Sequence, residues 1–461
     1  MKNTIYRVNI PIIFKEGLSA GAGKKANRSI VALNGRGKPV LHGSTIAGVL
    51  RSAYNSQASS DVNYWFGEAL NNDGFHGYSK IKIMDVELDT GSISSPISRT
   101  HNAINRHTGV AIKGGLFSIE YLPPGTTGEI ILEIEDQGNQ TQDVIKFIEV
   151  LASLFKSTLF FGGNRNRGVG RASAEKGLHF EKFDLSITND YANFLDAKYK
   201  GNAYQSNSAT SKKIEGSKSS EHFEIKLILG IPQGEDILAG DGQTLDYILE
   251  PQTTTAADGK EYWRIAGSSL RGVIRAWVTR LAARSGKHIC DNAQNFIDNS
   301  QNLKGDELGW GFVDKKSRKN FQKEPEALND PILDLFGSLY GKGRIHIADC
   351  ISRKPKSSND QEERMHISVD RFSGGTNEGA LFQNMVLKAK EIEFPLEIKI
   401  EYANEEEIAW LCATLKAIHL GLISVGSSRS AGRLKIKSFS ECNKENIATD
   451  LKNFLKGHEY E

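Results

Sequence analysis

The residues best placed to do chemistry come in matched pairs. His42-Gly-Ser-Thr-Ile-Ala-Gly-Val-Leu-Arg51 and Ala266-Gly-Ser-Ser-Leu-Arg-Gly-Val-Ile-Arg275 share the pattern Gly-Ser-x-x-x-Gly-x-x-Arg. A Gly-Ser turn running into a helix puts Ser44 and Ser268 where N-caps belong. The free amides and the dipole at such a helix start attract an anion, phosphate above all. Ser268, Gly272 and Arg275 then share one helix face, with Arg271 a turn inside. The alternative for either copy alone is a capped helix with a surface arginine.

Two late loops repeat the cationic theme. Gly162-Gly-Asn-Arg-Asn-Arg-Gly-Val-Gly-Arg171 offers Arg165, Arg167 and Arg171, and Gly426-Ser-Ser-Arg-Ser-Ala-Gly-Arg433 offers Arg429 and Arg433. Glycine allows close approach, so amides and guanidinium forks can meet phosphates together. A solvated turn before an edge strand is the plainer reading. No Gly-x-x-x-x-Gly-Lys-Ser/Thr is present, which argues against a nucleoside triphosphate loop. A third pair, His101–Phe117 and His366–Phe382, keeps His, Arg, Gly, Gly and Leu-Phe in register. Its Arg106 and Arg371 suit RNA contacts and internal ion pairs equally.

Carboxylates distinguish the copies. The loop after the first strand reads Gly21-Ala-Gly-Lys-Lys-Ala-Asn27 in one half and Gly240-Asp-Gly-Gln-Thr-Leu-Asp246 in the other. Asn27 stands opposite Asp246 and Ala22 opposite Asp241. Only the second half therefore has a possible proton acceptor or magnesium ligand there. Asp370, opposite Asn105, is a third candidate. An aspartate capping a turn is the alternative for each.

The elements that must position these residues also repeat. Thr4–Phe14 and His222–Ile231 alternate as strands, each followed by a glycine-rich loop. Val144, Phe147, Ile148, Leu151 and Phe155 line one helix face, and Ile408, Leu411, Leu415, Ile418 and Leu422 line another behind an Asn404…Glu407 capping box. Ordered correspondences of this kind indicate an internal duplication. Each half reads strand, helix, several strands, helix, strand, which predicts an α+β fold of two ferredoxin-like units. The units are expected over 1–188 and 222–461. A linker runs over 189–221, its core Gly201–Ser220 flexible, and a polar insertion occupies 286–331.

Length and composition set the outer limits. At 461 residues each half can bury its own core, and a net charge of +2 leaves nucleic-acid binding to local clusters. The four cysteines have no disulfide or zinc spacing. His288-Ile-Cys290 and His346…Cys350 give no complete ligand set, which argues against structural zinc. No signal peptide or apolar run of membrane-spanning length is read, so a reducing cytoplasmic location is expected.

In combination, these motifs resemble the backbone branch of the repeat-associated mysterious protein (RAMP) family from type III CRISPR effectors, over roughly Ile5–Phe183 and Phe223–Phe439. The chain resembles a tandem fusion of two such units, closest to the D-like subtype. The resemblance implies palms that bind guide RNA and hairpin thumbs near Asp89–His101 and Ser352–His366. It also implies neighbouring effector subunits, including backbone units, and cleavage of complementary target RNA by a loop aspartate with magnesium. Asp246 takes that role here, ahead of Asp241 and Asp370. A purely structural backbone, or a guide-processing RNase using His42 as base, are the competing functions.

Overall fold

The computed structural model describes residues 4–25, 28–57, 61–67, 78–104, 111–136, 141–156, 159–174, 176–200, 212–214, 222–238, 240, 250–289, 330–337, 342–370, 372–388, 391–426 and 432–458. Asn27, Arg106, Asp241, Asp246, Arg371, Arg429 and nearly all of the expected insertion lie outside these residues.

The first half begins with β1 (Thr4–Phe14) and α1 (Gly43–Gln57). Strand β2 (Ile81–Ile83) is followed by a long hairpin of β3 (Ile97–Ile104) and β4 (Ala111–Tyr121). Then come β5 (Thr126–Asp136), α2 (Thr141–Lys156), β6 (Arg171–Ser173) and β7 (Leu178–Asp184). Strand β1 lies antiparallel between β5 and β7, and β2 pairs with the outer edge of β5. The four core strands thus lie side by side in the order second, third, first, fourth.

The stretch expected as linker contributes structure. Thr188–Lys200 forms α3, and Lys212–Ile214 forms β8, which pairs with β7 as an edge strand. Phe194 of α3 packs edge-on against Phe183 at 5.6 Å, so the helix belongs to the first half's surface.

The second half repeats the scheme. Its elements are β9 (His222–Gly230), β10 (Glu261–Ile265), α4 (Gly267–Arg284), α5 (Pro331–Phe336), β11 (Ile345–Ile347) and β12 (Cys350–Pro355). A hairpin of β13 (Gln361–Val369) and β14 (Thr376–Lys388) precedes β15 (Glu393–Glu401), α6 (Glu405–His419), β16 (Lys435–Cys442) and α7 (Glu445–Gly457). The core sheet runs β11-β15-β9-β16, again second, third, first, fourth and antiparallel throughout.

Alternation explains the layering. Tyr6, Val8, Ile10, Ile12 and Phe14 face Ile46, Leu50, Phe147 and Leu151 of the helices in one core. Phe223, Ile225, Leu227 and Leu229 do the same against Leu270, Ile274, Leu411 and Leu415 in the other. Each such side chain contributes about 1.5–3 kcal/mol on burial. The expected faces of α2 and α6 are buried except for Leu422, which lies beyond the end of α6 and is 63% exposed. The Asn404–Glu407 capping box is formed in both directions.

The two halves are joined by more than chain. Asp349, just after β11, donates its backbone N–H to Gly168 O of the first half at 3.0 Å. Its wholly buried carboxylate accepts from Arg99 Nη1 of β3 at 2.8 Å and from Arg264 Nη1 of β10 at 3.1 Å. Phe160 of the first half stacks on His346 of the second with ring centres 4.2 Å apart.

Candidate nucleic-acid interface

The helix starts differ from expectation in one respect. In α4 the N-cap is Ala266, Gly267 is the first helical residue, and Ser268 is inside the helix. The cap is supplied from a distant strand end, where Asp349 Oδ1 accepts from Gly267 N at 2.8 Å. In α1 the same part is played by Asp85, whose Oδ1 accepts from Gly43 N at 2.7 Å. Ser44 and Ser268 are therefore not the N-caps. A carboxylate is a stronger acceptor than a hydroxyl, and tertiary structure brings one to each site. The motif glycines permit this: a Cβ at Gly43 would strike the backbone of Ile83, and one at Gly267 that of Ile347. Asp85 also takes His42 Nδ1 at 3.1 Å, and the Gly43 amide followed by His42 holds its pKa below the usual carboxylate value.

Signals for Asp85 and Asp349 were present in the chain. Ile81-Lys-Ile-Met-Asp85 and Ile345-His-Ile-Ala-Asp349 match 264 residues apart. This pair is missed when only glycine-bearing motifs are aligned.

The motif arginines separate into inward and outward groups. Arg271 is buried, donating to Ile345 O at 2.6 Å and to Phe336 O, and burial pushes its pKa down to about 10. It staples α4 to the chain around α5 and is not available to RNA. Arg275 lies against the Phe336 ring at 5.9 Å. Arg51 donates to Asn63 Oδ1 at 3.0 Å on the surface.

In the first late loop, Asn164, Gly168 and Gly170 take φ values of 58°, 87° and 88°, which coils the loop tightly against the second half. Arg171 is buried between Glu16 of its own half and Glu397 of the other. The expected RNA contact at Arg171 is therefore a clamp between halves, because two carboxylates neutralise it where no phosphate can reach. Arg167 covers the Phe117 ring at 4.6 Å, and Arg165 Nη1 reaches Phe160 O at 3.4 Å. In the second half Arg433 is half exposed and pairs with Glu235 at 3.0 Å.

The hairpins sit further along the chain than expected. They span β3–β4 and β13–β14, and Asp370 follows directly on β13. Turn chemistry explains the position: Asp370 Oδ1 accepts from Phe372 N at 2.9 Å and Ser373 N at 2.7 Å, and Gly374 has φ 68°. Those amides hold its carboxyl below the usual pKa range. Asp370 thus caps its turn. His101 stacks on Phe117 and shares a 2.9 Å hydrogen bond with Tyr121 Oη. Burial, then Arg167, Arg264 and Arg99, push its pKa down to about 3, so it is neutral.

A cleft of 420 Å³ opens where α1 of the first half faces the start of β9 and the end of β15 in the second. Arg165, Lys342 and Lys399 line it together with Glu401, and no sequence motif points to the two lysines.

Duplicated α+β units, a carboxylate-capped helix start in each and one cationic loop at their junction define a tandem-repeat protein with a charged seam. A family model described as the RAMP superfamily matches residues 11–173 and 249–435, one match in each half, and the chain belongs to that superfamily. Membership carries an association with CRISPR systems and RNA. Among curated proteins none matches the chain. No helix among the described residues is long and apolar enough to cross a membrane.

Proposed function

We propose that the chain is a tandem backbone subunit of a type III, D-like CRISPR effector that binds guide RNA with both halves and cuts complementary target RNA with the second. The carrying observation is the duplication of one βαββαβ unit, each copy with the same strand order and its own family match. That element order suits a ferredoxin-like palm. The long hairpins suit thumbs, and fully exposed Phe372 at one tip suits stacking on a base. Binding through phosphates would fall with salt and show little base preference.

Cleavage is assigned to Asp246, with Asp241 beside it as second choice. A carboxylate there accepts the proton of the target's own 2′-hydroxyl, whose oxygen attacks the adjacent phosphate; the bond to the next nucleotide's 5′-oxygen breaks, that oxygen takes a proton from water, and a 2′,3′-cyclic phosphate end remains. The first half has Asn27 at this place and is inactive. Magnesium would supply charge at the scissile phosphate. Asp370 Oδ1 already takes the donors of its turn, so only its Oδ2 is left to face a cation, and it stays third choice. The test is Asp246→Ala in the assembled complex, with target fragments mapped. Loss of this subunit's cut with guide retained is expected; persistence of every cut refutes the assignment. An intact complex that never cuts at this subunit makes the chain a structural backbone.

One observation favours a second reading. His42, half exposed, is paired with Asp85 as an oriented general base would be. Clean cleavage of precursor repeat RNA by the isolated chain, abolished in His42→Ala, would replace the backbone reading with a guide-processing RNase.

A further inference from the structure

The duplication lets the bases of the two hairpins be compared residue by residue. In the second half, Asp236 and Ile237, shortly after β9, pair with Lys388 and Leu387 at the end of β14. Gly432 of the second late loop donates its N–H to Asp236 O at 2.8 Å. The first half has the same neck. Leu18 bridges Leu122, and Gly170 N donates to Gly17 O at 2.9 Å. Gly17 thus stands for Asp236, Leu18 for Ile237, Leu122 for Leu387 and Gly170 for Gly432. One feature is not repeated. Arg364 of β13, half exposed, forms an ion pair with the buried carboxylate of Asp236. Its counterpart Arg99, two residues before His101 as Arg364 is before His366, turns instead to Asp349 and Thr254 at the junction. Gly17 offers no carboxylate, and a Cβ there would strike Leu122 O. The first half therefore lacks the neck ion pair and, at Ala22 and Asn27, the loop carboxylates as well. The second half has both.

Asp241 and Asp246 follow five and ten residues after Asp236 in the chain. The neck through which that segment leaves and returns is fastened across as well: Gly240 bridges Pro251, and Gln252 Nε2 donates to Gly240 O at 2.7 Å. An ion pair between a carboxylate and a guanidinium is stronger than a neutral hydrogen bond and has a defined direction. Here it joins the entering chain to the hairpin, with the carboxylate end shielded from water. A reacting group has to be held to a fraction of an ångström, and that demands support from residues that touch no substrate. We propose that Arg364 is a positioning residue for RNA cleavage: its ion pair with Asp236 fixes the entry of the carboxylate-bearing segment against the hairpin, and so sets where Asp246 meets the target strand. This rests on the cleavage reading above. The cation acts on the chain and not on the RNA. It ties the hairpin that would meet the target to the segment that would cut it.

The assembled complex with its guide tests this under single turnover at saturating target RNA, with the cut at this subunit followed. Arg364→Met should slow that cut about ten- to hundredfold, with affinity for target within about twofold of wild type. Asp236→Asn removes the same bond from the other side and keeps the side chain's shape. It should slow the cut equally, and it carries the test if Arg364→Met does not assemble. The double variant should be no slower than either single one, since the same bond is lost in all three. Arg364→Lys keeps a cation in reach of one carboxylate oxygen and should recover part of the rate. Weaker target binding in Arg364→Met, with Asp236→Asn cutting normally, would mean that the arginine touches RNA phosphate, and it overturns the proposal. Effects that multiply in the double variant overturn it too. So do rates that neither single variant alters while Asp246→Ala abolishes the cut. Asp246→Ala that cuts like wild type, or wild type that makes no cut here, overturns the cleavage reading, and the role of Arg364 falls with it.

Discussion

Asp349 takes three roles at the junction: helix cap, partner of two arginines and, through its backbone, tie to Gly168. Removing it leaves Arg99 and Arg264 buried without a counter-charge. Asp349→Ala should therefore cost about 3–5 kcal/mol of stability, measured by urea denaturation. Asp85, its counterpart, is 60% exposed on its side chain, so Asp85→Ala should be far milder. His101 sets a pH dependence. Its folded pKa of about 3 lies below the ordinary value of 6.5, so the unfolded chain binds the extra proton between those values. The stability it contributes is complete above 6.5 and lost as pH falls towards 3, at up to about 1.4 kcal/mol per pH unit. His101→Gln should flatten that part of a stability–pH curve. At this scale the sequence was informative about which residue types recur and poor about direction. Arg171 and Arg271 sit in the same motifs as outward arginines. Only tertiary neighbours, Glu16 and Glu397 for one and the carbonyls of Phe336 and Ile345 for the other, turn them inward.

At the scale of elements, more was legible. Strand alternation placed β1 and β9, and the spacing of apolar residues placed the buried faces of α2 and α6. Helix starts were located to within a residue, but not their caps, because a cap borrowed from another strand leaves no local mark. The hairpins were displaced for a similar reason: Asp-Arg and Asn-Arg look like the start of something new, while Asp370 closes a turn between paired strands. Gly272 is exposed within α4, and a Cβ there meets nothing. Gly272→Ala should raise stability by about 0.5–1 kcal/mol by calorimetry or denaturant melt, since glycine is the costlier helix-interior residue. Asn404→Ala removes half of the capping box on α6 and should cost about 1 kcal/mol.

The whole molecule behaves as two similar bodies pressed into one. The duplication was visible from ordered motif pairs, whereas the junction was not, since its contacts join residues up to 250 positions apart. Urea unfolding followed by tryptophan fluorescence and by circular dichroism should coincide in a single transition, because buried ion pairs and backbone hydrogen bonds, among them Ala257 N to Pro124 O and Ser92 N to Ala257 O, couple the halves. Two separated transitions would show that the halves melt independently.

Gly168 gives that coupling a genetic meaning. It takes a φ of 87°, and an added Cβ would meet the backbone amide of Asp349 at 2.6 Å, with the buried carboxylate unable to retreat. Gly168→Ala touches neither core and no cationic loop side chain. One methyl group would act as a wedge, leaving two sound halves that part company as temperature rises. In a cell, that substitution is a recipe for a conditional allele: a protein present in normal amount at the permissive temperature, and a pair of unjoined halves above it.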